Sequence, residues 1–195
     1  MIKFESAIYY KSFGTAKQLP LSDLPEIAFS GRSNVGKSSL MNKIFNRKQL
    51  VRVSATPGKT ITINFFKVDE AYFVDLPGYG YAKRASGEIE RWSELTESYF
   101  TTNRNIKLII QLIDMRHPPT ALDIQMLEFI QNSGYNYIIV LSKSDKLNKT
   151  ETEKRLNTLK TELSFLNNPV LIPFSALKNT GTEQIKEILN DTELS

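Results

Sequence analysis

The sequence predicts an α/β fold in which a mostly parallel central sheet, with one antiparallel strand, carries helices on both faces. Apolar runs of strand length alternate with amphipathic segments along the chain, and most of these runs are continuously apolar. Such strands are typical of parallel sheets that are buried on both faces. The length of 195 residues suits one domain spanning residues 1–195.

The predicted elements follow one another in a regular order. Helical periodicity is clear over residues 87–103, where Ile89, Trp92, Leu95 and Tyr99 recur three or four residues apart and predict one buried stripe. Because only two residues separate the second and third strands, we expect that pair to be antiparallel. The predicted strands are residues 27–29, 61–68, 71–74, 107–113, 137–141 and 170–174, and the predicted helices are residues 37–45, 87–103, 120–132, 150–163 and a last one around 185–189.

Residues 1–25 form an N-terminal extension that we expect to pack on the domain. They contain several aromatic residues and a stretch bounded by Pro20 and Pro25, so we expect an edge strand and a surface loop. No repeat, low-complexity stretch or interdomain linker divides the sequence.

The composition excludes several classes of function. The sequence has no Cys, which excludes disulfides, thiolate metal sites and thiol catalysis, and its single histidine, His117, excludes a multi-histidine metal site. No apolar run approaches the ~20 residues of a membrane span, and charged residues interrupt any signal-peptide core. We therefore expect a cytoplasmic protein with no membrane partner.

Residues 31–38 read GRSNVGKS and fit the pattern G-x-x-x-x-G-K-[ST] of a loop that binds nucleotide phosphates. The glycines let the backbone curl, so that its N–H groups and the start of the next helix point at phosphate oxygens. We expect Lys37 to reach the β/γ-phosphates and Ser38 to hold Mg²⁺. The nucleotide-binding residues expected in this phosphate loop are Gly31, Arg32, Ser33, Asn34, Val35, Gly36, Lys37, Ser38 and Ser39.

A second candidate segment follows the strand predicted over residues 71–74. Ligands of open α/β sheets bind at the carboxyl ends of the strands, so an aspartate there can hold Mg²⁺ through water. Gly78 can donate its N–H to the γ-phosphate and swing when that phosphate leaves. This D-x-x-G segment consists of Asp75, Leu76, Pro77 and Gly78.

The segment TPGKT at residues 56–60 lies between the first helix and the next strand, where it can fold over the γ-phosphate. Thr60 is the preferred second hydroxyl ligand of Mg²⁺. Thr56 is the competing candidate, and Pro57 directly after it disfavours a compact turn there. The nucleotide-binding residues expected here are Gly58, Lys59, Thr60, Ile61 and Thr62.

A third candidate segment, which we call the base loop, follows the strand predicted over residues 137–141. A carboxylate at Asp145 can accept two hydrogen bonds from the N1–H and amino group of guanine, whereas adenine lacks that donor pair. This predicts GTP rather than ATP, with the methylenes of Lys143 lying along the base. The base loop consists of Ser142, Lys143, Ser144 and Asp145, and Phe174, Ser175 and Ala176 at the end of the last strand could turn a backbone N–H toward the guanine carbonyl.

The net charge of +4 is modest but unevenly distributed. Residues 46–64 and the stretch between Asp75 and Glu88 carry basic residues and no acidic ones. These residues either attract the nucleotide or stay solvated, or they bind a polyanionic partner such as RNA. They are Arg47, Lys48, Arg52, Lys59, Lys83 and Arg84.

With these segments in this order, the chain resembles the translation-factor-related GTPases, and more narrowly the EngB (YihA/YsxC) family of bacterial ribosome-biogenesis GTPases. The narrower resemblance covers nearly the whole chain and rests on its short length and on GRSNVGKSS at 31–39, PGKT at 57–60, DLPGYGYA at 75–82 and DMRHP at 114–118. It implies a P-loop GTPase (Ras-like) fold and GTP hydrolysis to GDP with Mg²⁺. It also implies a monomer that acts in assembly of the large (50S) ribosomal subunit, with ribosomal RNA and proteins as partners, and that supports cell division and septation.

Two positions depart from the usual pattern of these GTPases. Ser142 stands where most have Asn and this family often has Thr, so we expect one base-side hydrogen bond to be weaker or rebuilt. Tyr79 stands where Ras-like proteins have the Gln that orients the attacking water, so we expect slow hydrolysis. Asn34 matches the position that helps related GTPases hold K⁺ near the β/γ-bridging oxygen, and such an ion would replace an arginine finger.

The catalytic candidates are therefore Lys37, Thr60, Gly78 and Asn34, whereas His117 is interpreted as a structural or interface residue. The alternative function is a nucleotide-gated module that binds the ribosome or its RNA with negligible hydrolysis. An ATPase or nucleotide kinase that shares the phosphate loop is disfavoured by Lys143 and Asp145.

Overall fold

The computed structural model describes residues 1–52, 61–80 and 86–193. The strands are β1 (Ile8–Phe13), β2 (Glu26–Gly31), β3 (Ile63–Val68), β4 (Ala71–Asp75), β5 (Ile106–Asp114), β6 (Tyr137–Ser142) and β7 (Leu171–Pro173). The helices are α1 (Lys37–Ile44), α2 (Ser86–Thr101), α3 (Ala121–Asn132), α4 (Lys149–Glu162) and α5 (Thr182–Asp191). Within the described ranges, no helix is long and apolar enough to cross a membrane.

The strands form one seven-stranded sheet in the order β1-β3-β4-β2-β5-β6-β7. The pairs β4–β2, β2–β5, β5–β6 and β6–β7 are parallel. By contrast, β3 runs antiparallel to both of its neighbours, β1 and β4. The predicted fold class is thus confirmed, including the single antiparallel strand and the short link at residues 69–70 that joins β3 to β4.

Helices cover both faces of the sheet. Side chains of α1 and α5 share one core with β2 and β4, in which Phe29 and Phe73 stack at a centroid distance of 6.0 Å. On the opposite face, α2 and α3 pack on β2, β4 and β5, and α3 and α4 pack on β5 and β6. This arrangement leaves the carboxyl edge of the parallel strands for the loops that follow them.

One prediction about α2 is wrong. The stripe is buried or half-buried at Trp92, Leu95 and Tyr99, but Ile89 is 54% exposed. The 3.6-residue period identifies the helix face on which a residue lies, but burial also requires a neighbouring element that covers that turn.

The first 25 residues contribute an edge strand and part of the core. β1 pairs with β3 from Ile8 opposite Lys67 to Phe13 opposite Ile63. Phe4 is buried, and its ring packs edge-on against Phe73 at 6.3 Å.

The amino edge of the sheet holds a buried ion pair. Glu26, the first residue of β2, is 0% exposed and accepts hydrogen bonds from the Arg104 guanidinium at 2.5 to 3.1 Å. Its carboxylate also accepts from Tyr99 Oη at 2.7 Å and Ser22 Oγ at 2.8 Å. Burial, together with the Glu26 charge, raises the pKa of the Tyr99 hydroxyl, which therefore stays a donor.

Candidate nucleotide-binding site

The phosphate loop joins β2 to α1 at the carboxyl edge of the sheet. A Cβ at Gly31 would lie 2.9 Å from Val35 Cγ1, so the loop closes tightly on the end of its own strand. Asn34 is exposed at the loop tip with φ of 63°, and Gly36 caps the amino end of α1. The loop therefore presents the first turn of α1, with Lys37 and Ser38, at the carboxyl edge.

Lys37 and Asp75 form an ion pair that joins the phosphate loop to the D-x-x-G segment. Their side chains are 11% and 10% exposed. Asn64 on β3 donates to the second Asp75 oxygen at 3.3 Å, and its own side-chain oxygen accepts from Thr62 Oγ1 at 3.1 Å. The structure thus brings together the lysine and the acid that we expected at the phosphates.

The D-x-x-G segment also packs directly on the backbone of the phosphate loop. Ser33 N donates to Tyr79 O at 2.9 Å, and Ser33 Oγ donates to Gly78 O at 3.3 Å. A Cβ at Gly78 would lie 2.9 Å from Ser33 N and Cα, so any side chain there would push the two loops apart. The two loops are therefore in direct backbone contact.

The Tyr79 side chain points into the core and is 4% exposed. Its hydroxyl donates to Asp123 Oδ1 and accepts from Gln111 Nε2, each at 2.7 Å. Burial, followed by the Asp123 charge, raises the pKa of this hydroxyl far above its ordinary value. Trp92 on α2 donates its indole N–H to Pro77 O at 2.9 Å and places its ring edge-on to Tyr79. Tyr79, which stands where Ras-like proteins have the catalytic Gln, is therefore a buried residue hydrogen-bonded within the core.

The base loop is fixed to the end of β7. Ser144 N donates to Phe174 O at 3.1 Å, and Ser175 Oγ donates to Asp145 Oδ1 at 2.8 Å. The hydrogen bond from Ser175 lowers the pKa of Asp145, so this carboxylate is ionised at neutral pH. The structure thus holds the expected base-reading acid in place.

Ser142 connects the base loop to the phosphate loop. Its side chain is buried, and Oγ lies 2.6 Å from Val35 O and 3.2 Å from Ile113 O. A hydroxyl has one proton, so it donates to one of these carbonyls at a time. At the position where we expected a weaker base contact, the serine instead holds the two loops together.

Sequence reasoning did not assign a site role to Asp114, the last residue of β5. Its carboxylate accepts from Lys143 Nζ at 2.9 Å and from Arg116 Nε and Nη2 at 2.9 and 2.8 Å. Burial acts to raise the pKa of Asp114, but the hydrogen bonds from Arg116 and Lys143 outweigh it and lower the pKa. Asp114 therefore holds the charged end of Lys143, whose methylene stem we expect to lie along the base.

The structure gathers the described candidates at one edge of the sheet, although several of their side chains face the core. Leu76, Phe174, Val35 and Ile61 are buried, so only their backbone atoms are available to a ligand. His117 is exposed, and its carbonyl accepts from Arg155 at 2.8 Å. Outside the described residues lie Gly58, Lys59, Thr60 and its competitor Thr56, together with Pro57, Lys83 and Arg84.

The seven-stranded sheet, the phosphate loop on α1 and the acidic segments at the strand ends define a P-loop GTPase domain. The family model described as 50S ribosome-binding GTPase matches residues 26–143. The probable GTP-binding protein EngB of Clostridioides difficile (strain 630) is 43% identical over 191 residues, which are 97% of this chain and 94% of that protein. The probable GTP-binding protein EngB of Prosthecochloris aestuarii (strain DSM 271 / SK 413) is 46% identical over 192 residues, which are 97% of this chain and 98% of that protein. The chain belongs to the EngB family of GTP-binding proteins.

Solved structures show the same fold. The crystal structure of a probable GTP-binding protein EngB matches with a TM-score of 0.71 and 24% identity, over 85% of this chain and 97% of that chain. Era from Aquifex aeolicus bound to GDP and AlF4⁻ matches with a TM-score of 0.65 and 20% identity, over 87% and 57% of the two chains. These similarities establish the fold, and the family rests on the sequence relatives.

Proposed function

We propose that this protein is a GTP-driven switch that hydrolyses GTP to GDP with Mg²⁺ during assembly of the large ribosomal subunit. The observation that carries the proposal is the arrangement of two acids along one sheet edge, Asp75 facing Lys37 and Asp145 fixed by Ser175. The first pair suits phosphates and the second suits a guanine base. We further propose that residues 1–195 form one GTP-binding domain, with residues 1–25 packed on it, that acts as a cytoplasmic monomer.

At the phosphate end, Lys37 exchanges Asp75 for β/γ-phosphate oxygens when nucleotide binds. Ser38 and Asp75 offer hydroxyl and carboxylate oxygens, the donors that Mg²⁺ prefers, and Thr60 is the proposed second hydroxyl. Mg²⁺ held by these residues would neutralise charge on the phosphate oxygens. The N–H of Gly78 is the proposed contact to the γ-phosphate, and backbone N–H groups of the phosphate loop cradle the remaining oxygens.

At the base end, Asp145 accepts from guanine N1–H and the amino group, and the Lys143 stem lies along the base. The backbone N–H of Ser175 or Ala176 meets the guanine carbonyl. Adenine would leave the fixed carboxylate without its two donors, which is a large penalty in a site built to be hydrogen-bonded.

Slow intrinsic hydrolysis is supported by the orientation of Tyr79, whose hydroxyl is engaged by Asp123 and Gln111 in the core. Asn34, exposed at the loop tip, offers an amide oxygen that could hold K⁺ beside the phosphates. K⁺ should then raise turnover, and equal rates in K⁺ and Na⁺ would contradict this role.

The same Tyr79 orientation favours a second candidate, a nucleotide-gated module with negligible hydrolysis. Single-turnover hydrolysis with and without large-subunit particles separates the two. Stimulation by the particles supports the switch, and nucleotide-dependent particle binding without hydrolysis supports the module.

The ribosomal partner is supported by the 50S ribosome-binding description of the family. Era, which this chain matches over 57% of that chain with a TM-score of 0.63, has been solved in complex with MgGDPNP and nucleotides 1506–1542 of 16S ribosomal RNA. Arg47, Lys48 and Arg52 are exposed, as contact with phosphate backbones requires. We propose that the loop residues Lys83 and Arg84 add to this surface, and that loss of the protein impairs growth and septation.

The proposal is tested by binding fluorescent GDP and GTP analogues with unlabelled ATP as competitor. We expect guanine nucleotides to bind, ATP to fail as a competitor and Asp145→Asn to lose the preference. Glu153→Gln, an exposed carboxylate of α4, is the matched control and should leave binding unchanged. Equal competition by ATP would overturn the assignment of the base site.

A further inference from the structure

Three charged side chains meet where β5 and β6 end. Asp114 pairs in register with Ser142 across these parallel strands, so it lies beside the next residue, Lys143. The distance from Lys143 Nζ to Asp114 Oδ2 is 2.9 Å, and Arg116 binds both Asp114 oxygens. The side chains of Asp114, Lys143 and Arg116 are 15%, 32% and 35% exposed.

The backbone at Lys143 makes the position of its side chain important. Lys143 has φ of 62° and directly precedes the turn Ser144–Lys146 that carries Asp145. A lysine has a flexible stem of four carbons, and ordering it alone loses rotamer entropy. A fixed carboxylate at the end of that stem reduces the loss that remains when a ligand binds.

We propose that Asp114 is a positioning residue for guanine nucleotides: its carboxylate holds the Lys143 ammonium so that the methylene stem forms a ready surface for the base. This inference rests on the proposed function, which places the base along Lys143. Asp114 acts through Lys143 and does not touch the nucleotide.

Arg116 has a different part in this cluster. It forks onto Asp114 from the exposed side, and its own backbone N–H also bonds Oδ1 at 3.1 Å. Asp114 could therefore serve only to fold the loop after β5. The two roles differ in which cation matters, since a loop-folding role depends on Arg116 and a positioning role depends on Lys143.

A double-mutant cycle on GDP affinity separates these roles. The variants are Asp114→Asn, Lys143→Met, which keeps an unbranched apolar stem but removes the ammonium, and the two together. We expect each single change to weaken GDP binding about 5- to 10-fold, and the double variant to be no weaker than the poorer single variant. Arg116→Gln, the matched control, should change affinity less than about 2-fold.

A ligand that binds only at the phosphate end of the site distinguishes a local effect on the base site from general unfolding. Inorganic tripolyphosphate, used as a competitor, should bind wild type and Asp114→Asn equally, because it reaches only the phosphate loop. Asp114→Glu, which keeps the negative charge, should recover part of the lost GDP affinity. Weaker tripolyphosphate binding by Asp114→Asn would overturn the positioning role.

The remaining outcomes are also decisive. If the losses in Asp114→Asn and Lys143→Met multiply in the double variant, Asp114 does not act through Lys143 and the inference is wrong. If Arg116→Gln costs as much as Asp114→Asn, the loop-folding role replaces it. If Lys143→Met and Asp145→Asn both leave GDP binding unchanged, the proposed base site itself fails, and the inference fails with it.

Discussion

The two edges of the sheet each carry a poorly exposed ion pair, and the pairs differ in how completely their charges are bound. At the amino edge, Glu26 accepts from Arg104, Tyr99 and Ser22. At the carboxyl edge, Asp75 has one lysine and a long hydrogen bond from Asn64. Arginine holds a carboxylate with a rigid fork, whereas lysine offers a point charge on a flexible stem.

The same type of contact, a carboxylate paired with a cation, therefore serves two purposes in this protein. The Glu26 and Arg104 side chains are 0% and 2% exposed, so neither can exchange its partner without opening the core, and Glu26 is structural. A carboxylate that faces a lysine at the start of a helix can give up that partner to a ligand, so Asp75 is suited to a binding site.

Glu26→Gln should lower the free energy of unfolding by about 3–5 kcal/mol, because it leaves the buried Arg104 charge without its counter-ion. GDP affinity of the folded protein should stay unchanged, since the pair lies at the opposite edge from the phosphate loop. Urea denaturation and nucleotide titration measure the two quantities. Glu183→Gln, which removes an exposed carboxylate that pairs with the half-buried Lys186, is the control and should cost no more than about 0.5 kcal/mol.

Tyr79→Phe should cost about 1–3 kcal/mol, because Asp123 loses a buried donor and Gln111 loses an acceptor. GTP turnover should change less than about 2-fold, since the hydroxyl faces the core. A loss of stability with turnover intact would show that Tyr79, although it lies at the carboxyl edge, has a structural role. Tyr9→Phe, which removes an exposed hydroxyl, is the control for stability. A large fall in turnover with stability intact would instead give Tyr79 a direct part in hydrolysis.

Asp75→Asn should cost less than Glu26→Gln, about 1–2 kcal/mol in urea denaturation, because asparagine keeps an oxygen that can accept from Lys37. Its effect should appear in binding, as a loss of the Mg²⁺ dependence of GTP affinity measured with and without EDTA. Destabilisation as large as that of Glu26→Gln would erase the contrast between the two edges.

The pH dependence of stability gives the smallest effect. The pKa of Asp114 is lower in the folded chain than its unfolded value of about 4, so its ion pairs stabilise the fold above that pH. This contribution is lost as the pH falls below about 4 toward the folded pKa. Between pH 5 and 3, Asp114→Asn should therefore lose less stability than wild type, by under about 1 kcal/mol. If the free energy of unfolding changes equally with pH in wild type and in Asp114→Asn, the ion pairs of Asp114 add nothing to stability.

Much of the fold was predictable from local patterns in the sequence. The continuous apolar runs predicted the parallel strands, and the two-residue link at 69–70 predicted the antiparallel pairing of β3 with β4. Glycine spacing located the phosphate loop, because only a few backbone paths let N–H groups converge on a phosphate.

The missed contacts depend on partners from other elements. Thr120 and Asp123 form a capping box at the start of α3, and Asp123 also accepts from Tyr79, a contact that no local pattern reports. Likewise, Asp114 meets Lys143 only because β5 and β6 pair in one particular register. The burial of Ile89 was predicted wrongly for a related reason. Its helix face was identified correctly, but no sequence pattern reports whether another element covers that face.

The position of β2 imposes an order on synthesis of the chain. It is the second strand to be translated, yet in the sheet it lies between β4 and β5, which are made 40 residues or more later. Until residues 108–110 of β5 are made, one side of the apolar segment Ile27–Phe29 has no strand to pair with. An unpaired apolar strand is prone to aggregate. Ser33 also cannot bond Tyr79 before that residue is made. The nascent chain therefore gains a formed phosphate loop late, and the apolar segment of β2 needs shielding in the meantime.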